Sequence, residues 1–303
     1  MIFNMQEPIM SSSSVVYDSD TASEERPPSQ PARTKIHANF KVARPPPKSS
    51  LRLAPKLLLQ IQQVAVNHRP VPVLEIWQPP FRKSKLTRDF PQRPKLRSGD
   101  IYATSNEPYI MHANSIRADS TNSSEIEEDC CTPHRDIIAA LCQSATGETP
   151  ASSIYFRSAR SSWQGSVGVT GSEKTPCYRF TIKNDEDGNR DSVDPGRMIL
   201  QWEKRSSTGK DNGPDSDYLV LFLIDRTAKR KSRLATMTMG GLEILVRKSS
   251  VMEHLQICMD LTDPLPTTHG ASAHEALEAW VYTELLTLGV WVAQQEGWHG
   301  LAS

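Results

Sequence analysis

The apolar residues of this chain fall into short runs, and the clearest runs repeat at every second position. Between Cys177 and Ile182, the residues Tyr178, Phe180 and Ile182 alternate with Arg179 and Thr181. That period places one set on a core face and the other towards solvent, as in a half-buried strand. Ile154 to Phe156, Trp163 to Val169 and Met198 to Trp202 read as further strands. The glycines of the second suggest bends or bulges. Tyr218 to Ile224 is apolar throughout and fits a strand buried on both faces. Arg233 to Thr238 and Leu242 to Val246 follow, with Gly240-Gly241 as a hairpin turn between them. Asp185-Glu186-Asp187-Gly188 and the loop through Gly209 and Gly213-Pro214 punctuate the series. About seven strands within about 100 residues predict an antiparallel meander or barrel.

Two stretches switch to a helical period. Val251, Leu255 and Met259 share one face of a short helix over Ser250 to Met259, stopped by Asp263-Pro264 and Pro266. The last element runs from about His274 to Glu296. Leu277, Val281, Leu285, Leu288 and Val292 make one stripe, while Trp280, Val290 and Trp291 load the other side. A helix apolar almost all round belongs inside a protein or a membrane. At 1.5 Å per residue it is long enough to span, but Glu278 and Glu284 interrupt it. A carboxylate at a bilayer centre costs roughly 2.5–3.5 kcal/mol, so a protein interior is the better environment. The fold class is therefore α+β: an antiparallel β-meander or barrel with a buried C-terminal helix.

Upstream the pattern weakens. Residues 1–48 hold Ser11 to Ser14, an acidic run from Asp18 to Glu25, and Pro45-Pro46-Pro47, with no periodic apolar face. They read as a disordered N-terminal arm. Residues 49–111 are basic but carry Leu57-Leu58-Leu59-Gln60-Ile61, Val71 to Trp77, and Asp100 to Thr104. They are expected to contribute strands, with Pro70 and Pro72 marking an edge segment. Residues 112–150 read as an acidic disordered insertion containing a short helix from about Asp136 to Gln143. The β-rich domain proper is 151–303.

Composition agrees with a core-bearing region flanked by unfolded ones. Hydrophobic residues make up 37% and there are 22 prolines, against a usual globular share of roughly 45–50% apolar. The formal net charge is zero, but it conceals a polarity. From Arg26 to Gly99 sixteen basic residues face two acids, and from Asp100 to Pro150 two arginines face nine acids. Such asymmetry points to a nucleic acid, an anionic membrane or the chain's own acidic part as partner, with solvated disorder as the bland alternative. The start of the chain lacks a signal-peptide pattern, and five cysteines do not form a secreted disulfide framework. A cytoplasmic or nuclear location is expected.

Recognisable chemical motifs are mostly absent from the sequence. Gly165 to Lys174 fails the spacing of both phosphate loops and reads as a glycine-rich hairpin. In the acidic turn ending at Gly188, Lys183 falls where a calcium loop needs its first oxygen ligand. A second acidic loop holds Asp211, Asp215 and Asp217. Cys130, Cys131, His134 and Cys142 fit no usual zinc spacing, and Cys177 and Cys258 read as small core residues. His254 and His274 read as surface residues on or near helices. No nucleophile elbow or zinc-protease helix is present. No catalytic residue, metal ligand set or cofactor is assigned. The positive feature is the cluster Arg226, Lys229, Arg230, Lys231 and Arg233, between two strands and so at a hairpin tip, extended by Arg247 and Lys248. Such a tip can meet phosphates on a membrane or a nucleic acid, or act as an import signal; the bland alternative is a turn kept polar for solubility.

A β-meander followed by an all-round apolar terminal helix resembles the tubby C-terminal-like superfamily, which includes plant LURP-type proteins and phospholipid scramblases. There a closed twelve-strand barrel wraps a buried C-terminal helix. The resemblance implies that Ile154 to Val246 supply barrel strands and Ala276 to Ala293 the threaded helix. Ser50 to Tyr109, with Leu57-Leu58-Leu59-Gln60 and Arg69-Pro70-Val71-Pro72-Val73-Leu74, would supply the first strands. Asp225 to Lys248 also resembles uncharacterised filamentous-fungal proteins. Family activities range from phosphoinositide binding to lipid movement, so the resemblance implies no single one. No scramblase-like palmitoylated cysteine cluster or transmembrane end is evident. The expectation is a non-enzymatic intracellular module that binds anionic lipid or another polyanion through its basic hairpin. The alternative is a nuclear adaptor or regulator contacting nucleic acid or acidic partners through the 26–99 region. A third class, an enzyme whose site is assembled from distant residues, leaves no local signature.

Overall fold

The computed structural model describes residues 36–45, 54–80, 84–86, 90, 94–97, 99–111, 137–143, 151–157, 159, 161–171, 175–183, 198–206, 217–245 and 273–298. The strands are β1 (Ala38–Ala43), β2 (Lys56–Val64), β3 (Val71–Gln78), β4 (Ser84–Lys85), β5 (Lys95–Leu96), β6 (Ile101–Ser105), β7 (Ile137–Gln143), β8 (Ala151–Phe156), β9 (Ser162–Thr170), β10 (Thr175–Lys183), β11 (Met198–Arg205), β12 (Tyr218–Asp225), β13 (Arg230–Thr238) and β14 (Gly241–Ile244). A single described helix, α1 (Ala273–Gln295), follows. All strands except β4 and β5 form a closed antiparallel barrel, in the order β1-β14-β13-β12-β11-β10-β9-β8-β7-β6-β3-β2. β4 and β5 pair with each other outside it.

Closure depends on β1, which pairs with β2 on one side and with β14 on the other, Ala38 opposite Ile244 and Lys41 opposite Gly241. The sequence reading places these residues in the disordered arm; they are instead the strand that removes both free edges of the sheet. Phe40, 1% exposed, explains the gain, because its ring enters the core. β7 is a second correction. Its residues, Ile-Ile-Ala-Ala-Leu-Cys-Gln, were expected to be helical, yet they pair with β6 and β8. Tertiary pairing overrides a weak local helix propensity. β3 is not an edge, since β2 and β6 flank it; Pro72 sits opposite Gln62, beside a register shift in β2, where its missing N–H is tolerated. The unbroken apolar run of β12 buries Leu219, Leu221 and Leu223 in the core, while outward Phe222 and Ile224 are only half-buried.

The barrel has an upper end, carrying the β2–β3 and β12–β13 turns, and a lower end, carrying the β9–β10 and β13–β14 turns. α1 runs down through it. Trp280 packs on Phe156 near the upper end, and Glu296 bonds to Tyr178 and Lys204 near the lower end. Every residue from Val281 to Ala293 is buried, which explains why this helix needs no polar face. Its side chains have matching hollows. A Cβ on Gly165 would lie 3.2 Å from the Trp291 ring. That glycine, expected to mark a bend, makes room in a regular β9–β10 ladder. Phe180 and Tyr178 meet Trp291 edge-on at 5.1 and 6.0 Å. Phe40, Tyr109 and Tyr282 form a second aromatic group near the upper end. The helix stops at Gly297, whose φ of 68° suits glycine. Trp298 N donates to Ala293 O and Gly297 N to Gln294 O, the two bonds of a Schellman cap.

A satellite cluster lies on the outer wall. Leu86, Phe90 and Leu96, from the excursion between β3 and β6, bury against Tyr102 and Ala140. Asp100 anchors its return by accepting from Arg97 N at 2.6 Å and Gln143 N at 2.9 Å. Among the described residues no helix is long and apolar enough to cross a membrane, α1 included. Most of the N-terminal arm, most of the acidic insertion and the helix expected over 250–259 lie outside the described residues.

Candidate functional site

The basic cluster falls where the sequence places it, at the turn joining β12 to β13, with Asp225 paired to Arg230 across the last rung. Asp225 builds the turn. Its Oδ1 accepts from the backbone N–H of Thr227 at 2.8 Å and of Ala228 at 3.0 Å, an Asx turn. Lys229 closes the loop with φ 50°. A left-handed lysine costs about 1 kcal/mol relative to its ordinary backbone, and glycine or asparagine would relieve it. The tip is therefore fixed in shape by Asp225 while presenting a side chain that the turn itself does not favour.

The five cations do not act alike. Arg226, Lys229 and Arg230 are exposed and have no ion-pair partner among the described residues. Lys231 folds back onto the wall, where its ammonium lies 4.0 Å above the Phe222 ring and 2.6 Å from Glu203 Oε1. Glu203 is held from several sides: Gln201 Nε2 donates to it at 2.8 Å and Arg205 Nη2 at 2.9 Å. Burial pushes its carboxyl up, but these donors with Lys231 more than offset that and hold it below the usual carboxylate range. Arg233 bonds to Thr236 Oγ1 at 2.8 Å. The geometry thus leaves three free cations at the tip and turns two to the wall.

The same end of the barrel carries His68 and Arg69, both exposed on the β2–β3 turn. Nothing in the sequence links them to the β12–β13 tip, because the neighbourhood arises only when β1 closes the barrel. Of the other chemistry weighed from sequence, Cys142 is on β7 beside Asp100, and burial pushes its thiol up to about 12, so it is inert as a nucleophile at neutral pH. Cys177 is buried, as a core residue would be. Asp217 is spoken for by Lys204, 3.0 Å away, and Ser206. His274, exposed in the first turn of α1, lies 3.9 Å from Glu278. Cys130, Cys131, His134, Asp185, Asp187, Asp211, Asp215, Arg247, Lys248, His254 and Cys258 lie outside the described residues.

The barrel interior holds two acids on α1. Glu278 accepts from Tyr282 Oη, with His37 Nε2 3.0 Å away. Glu284, 2% exposed, accepts from Trp163 Nε1 at 2.9 Å. Burial pushes Glu284 up to about 8, while the indole bond pulls the other way. Beside the helix, a cleft between α1 and the β1, β2, β13 and β14 wall leaves about 20 Å³, room for about one water. Neither a known family model, nor a curated protein, nor a solved structure matches this chain.

Proposed function

We propose that this chain is a non-enzymatic barrel module of the tubby C-terminal-like kind, which docks on anionic lipid through the β12–β13 tip. The carrying observation is the tip itself: Arg226, Lys229 and Arg230 stand exposed on a turn braced by Asp225, with Lys229 in a backbone state its side chain disfavours. Local strain in a turn is a pointer to function rather than to stability. The closed barrel around a C-terminal helix supports the kinship, and a helix that fills the barrel supports binding over catalysis. The anionic membrane surfaces this reading needs face the cytoplasm.

Each basic residue near such a surface contributes about 1 kcal/mol. Reversing Arg226, Lys229 and Arg230 to glutamate is therefore expected to weaken binding to phosphatidylserine-containing vesicles by about a hundredfold or more, measured by co-sedimentation at 0.1 M salt. Lys231 is left alone in this variant, because a glutamate there would face Glu203. Unchanged binding overturns the reading. Tighter binding to duplex DNA than to vesicles, lost in the same variant, transfers the tip to a nuclear, nucleic-acid role.

A further inference from the structure

Around the upper rim, the β12–β13 and β2–β3 turns are separated only by β14 and β1. Three strand spacings put β13 and β2 about 14 Å apart along the wall. The β2–β3 turn has an unusual composition for its geometry. His68 N donates to Ala65 O at 3.2 Å, and Asn67 takes φ 67° at the third position, the pattern of a type II turn. The second position, at the crest, is Val66, which is 86% exposed. A valine there contributes nothing to the core and presents its whole side chain to water. Ile36, 46% exposed, precedes β1 between the two turns. Of the acids near this arc, Asp225 is taken up by its own turn and Glu278 by Tyr282 and His37, while Glu243 faces outward, half-buried, on β14 and Glu107 is exposed beside the start of β3. The arc is thus an apolar crest flanked by Arg69 on one side and by Arg226, Lys229 and Arg230 on the other.

We propose that this arc is a membrane-insertion face: Val66, with Ile36 beside it, enters the interfacial layer of an anionic bilayer while the flanking cations meet headgroup phosphates. The proposal rests on the lipid-docking reading above and adds an apolar contact and an orientation to it. With both turns on the membrane, the barrel stands on its upper end and α1 points its N-terminus at the bilayer. An exposed apolar residue framed by basic ones is the combination that interfacial binding uses, since buried apolar area and electrostatic attraction add.

The test compares the full chain with Val66→Ser and Val66→Trp on 3:1 phosphatidylcholine/phosphatidylserine vesicles, with heparin as a soluble polyanion that offers no apolar layer. Val66→Ser is expected to weaken vesicle binding about tenfold and Val66→Trp to tighten it several-fold, with heparin affinity unchanged in both. At 86% exposure neither change is expected to move the unfolding midpoint. If both variants bind vesicles as the parent does, insertion is overturned. A simultaneous loss in the Arg226, Lys229 and Arg230 reversal then leaves the electrostatic docking standing. If the parent chain fails to bind vesicles at all, both readings fall.

Discussion

Glu284 shows how one side chain can be both out of place and necessary. It sits in the middle of a helix whose neighbours from Val281 to Ala293 are all buried, and Trp163 Nε1 donates to it at 2.9 Å. From the sequence, this glutamate argues against a membrane; its actual state depends on a partner on β9 that no local pattern links to it. Burial pushes its carboxyl from the ordinary 4.5 up to about 8, so the folded protein holds a proton that the unfolded chain releases. Because the folded form binds the extra proton, this group's contribution to stability is fullest below about pH 4.5. It is lost as pH rises to about 8, at up to about 1.4 kcal/mol per pH unit. Glu284→Gln keeps an acceptor for the indole and has no proton to lose. Its stability relative to the parent is expected to rise steadily from pH 5 to pH 8 in urea unfolding; parallel curves for the two proteins would refute the assignment.

Among elements, the seam between β1 and β14 is close at Gly241. A Cβ built on Gly241 would fall 2.2 Å from the backbone oxygen of Phe40, an atom that cannot swing aside. On Gly240 it would meet nothing closer than Thr238 Oγ1 at 3.9 Å. Gly241→Ala is therefore expected to cost roughly 3 kcal/mol through strand displacement, and Gly240→Ala within about 0.5 kcal/mol of nothing, read from denaturant midpoints. The turn was legible one residue off: its central residues are Met239 and Gly240, and Gly241 already pairs with Thr238 and Lys41 in β14, a duty set by a neighbour far upstream in sequence. The same limit explains which elements were legible. β10 declares itself by alternation against a single core face, β12 by an unbroken apolar run, and α1 by apolarity all round. β7 does not, because Ala-Ala-Leu-Cys-Gln has no period of two. β1 does not, because Phe40 and Val42 are two apolar residues in a proline-rich, basic setting. The hairpin tip was legible from a basic cluster set between two strand-like runs. That Lys231 turns back to Glu203 was not, since the pairing runs across the barrel wall from β11 to β13.

At the scale of the molecule, a ring of strands with a helix inside has no spare part. Deleting residues 36–43 is expected to leave β2 and β14 as open edges around an exposed helix, and to give a species that elutes in the void volume and binds thioflavin T. A deletion variant that remained monomeric with an unchanged unfolding midpoint would contradict closure by β1. The two turns of the proposed insertion face would also lose their neighbourhood, since β1 is what sets them side by side. The seam has a consequence in time as well as in space. On the ribosome β1 emerges early, while β14 follows roughly 200 residues later and α1 later still. At about 5–20 residues per second the first strand waits on the order of 10–40 s for its partner. Such distant pairing makes folding slow. The lysine and proline content around β1 then becomes a means of keeping an unpaired strand from joining the wrong chain during synthesis.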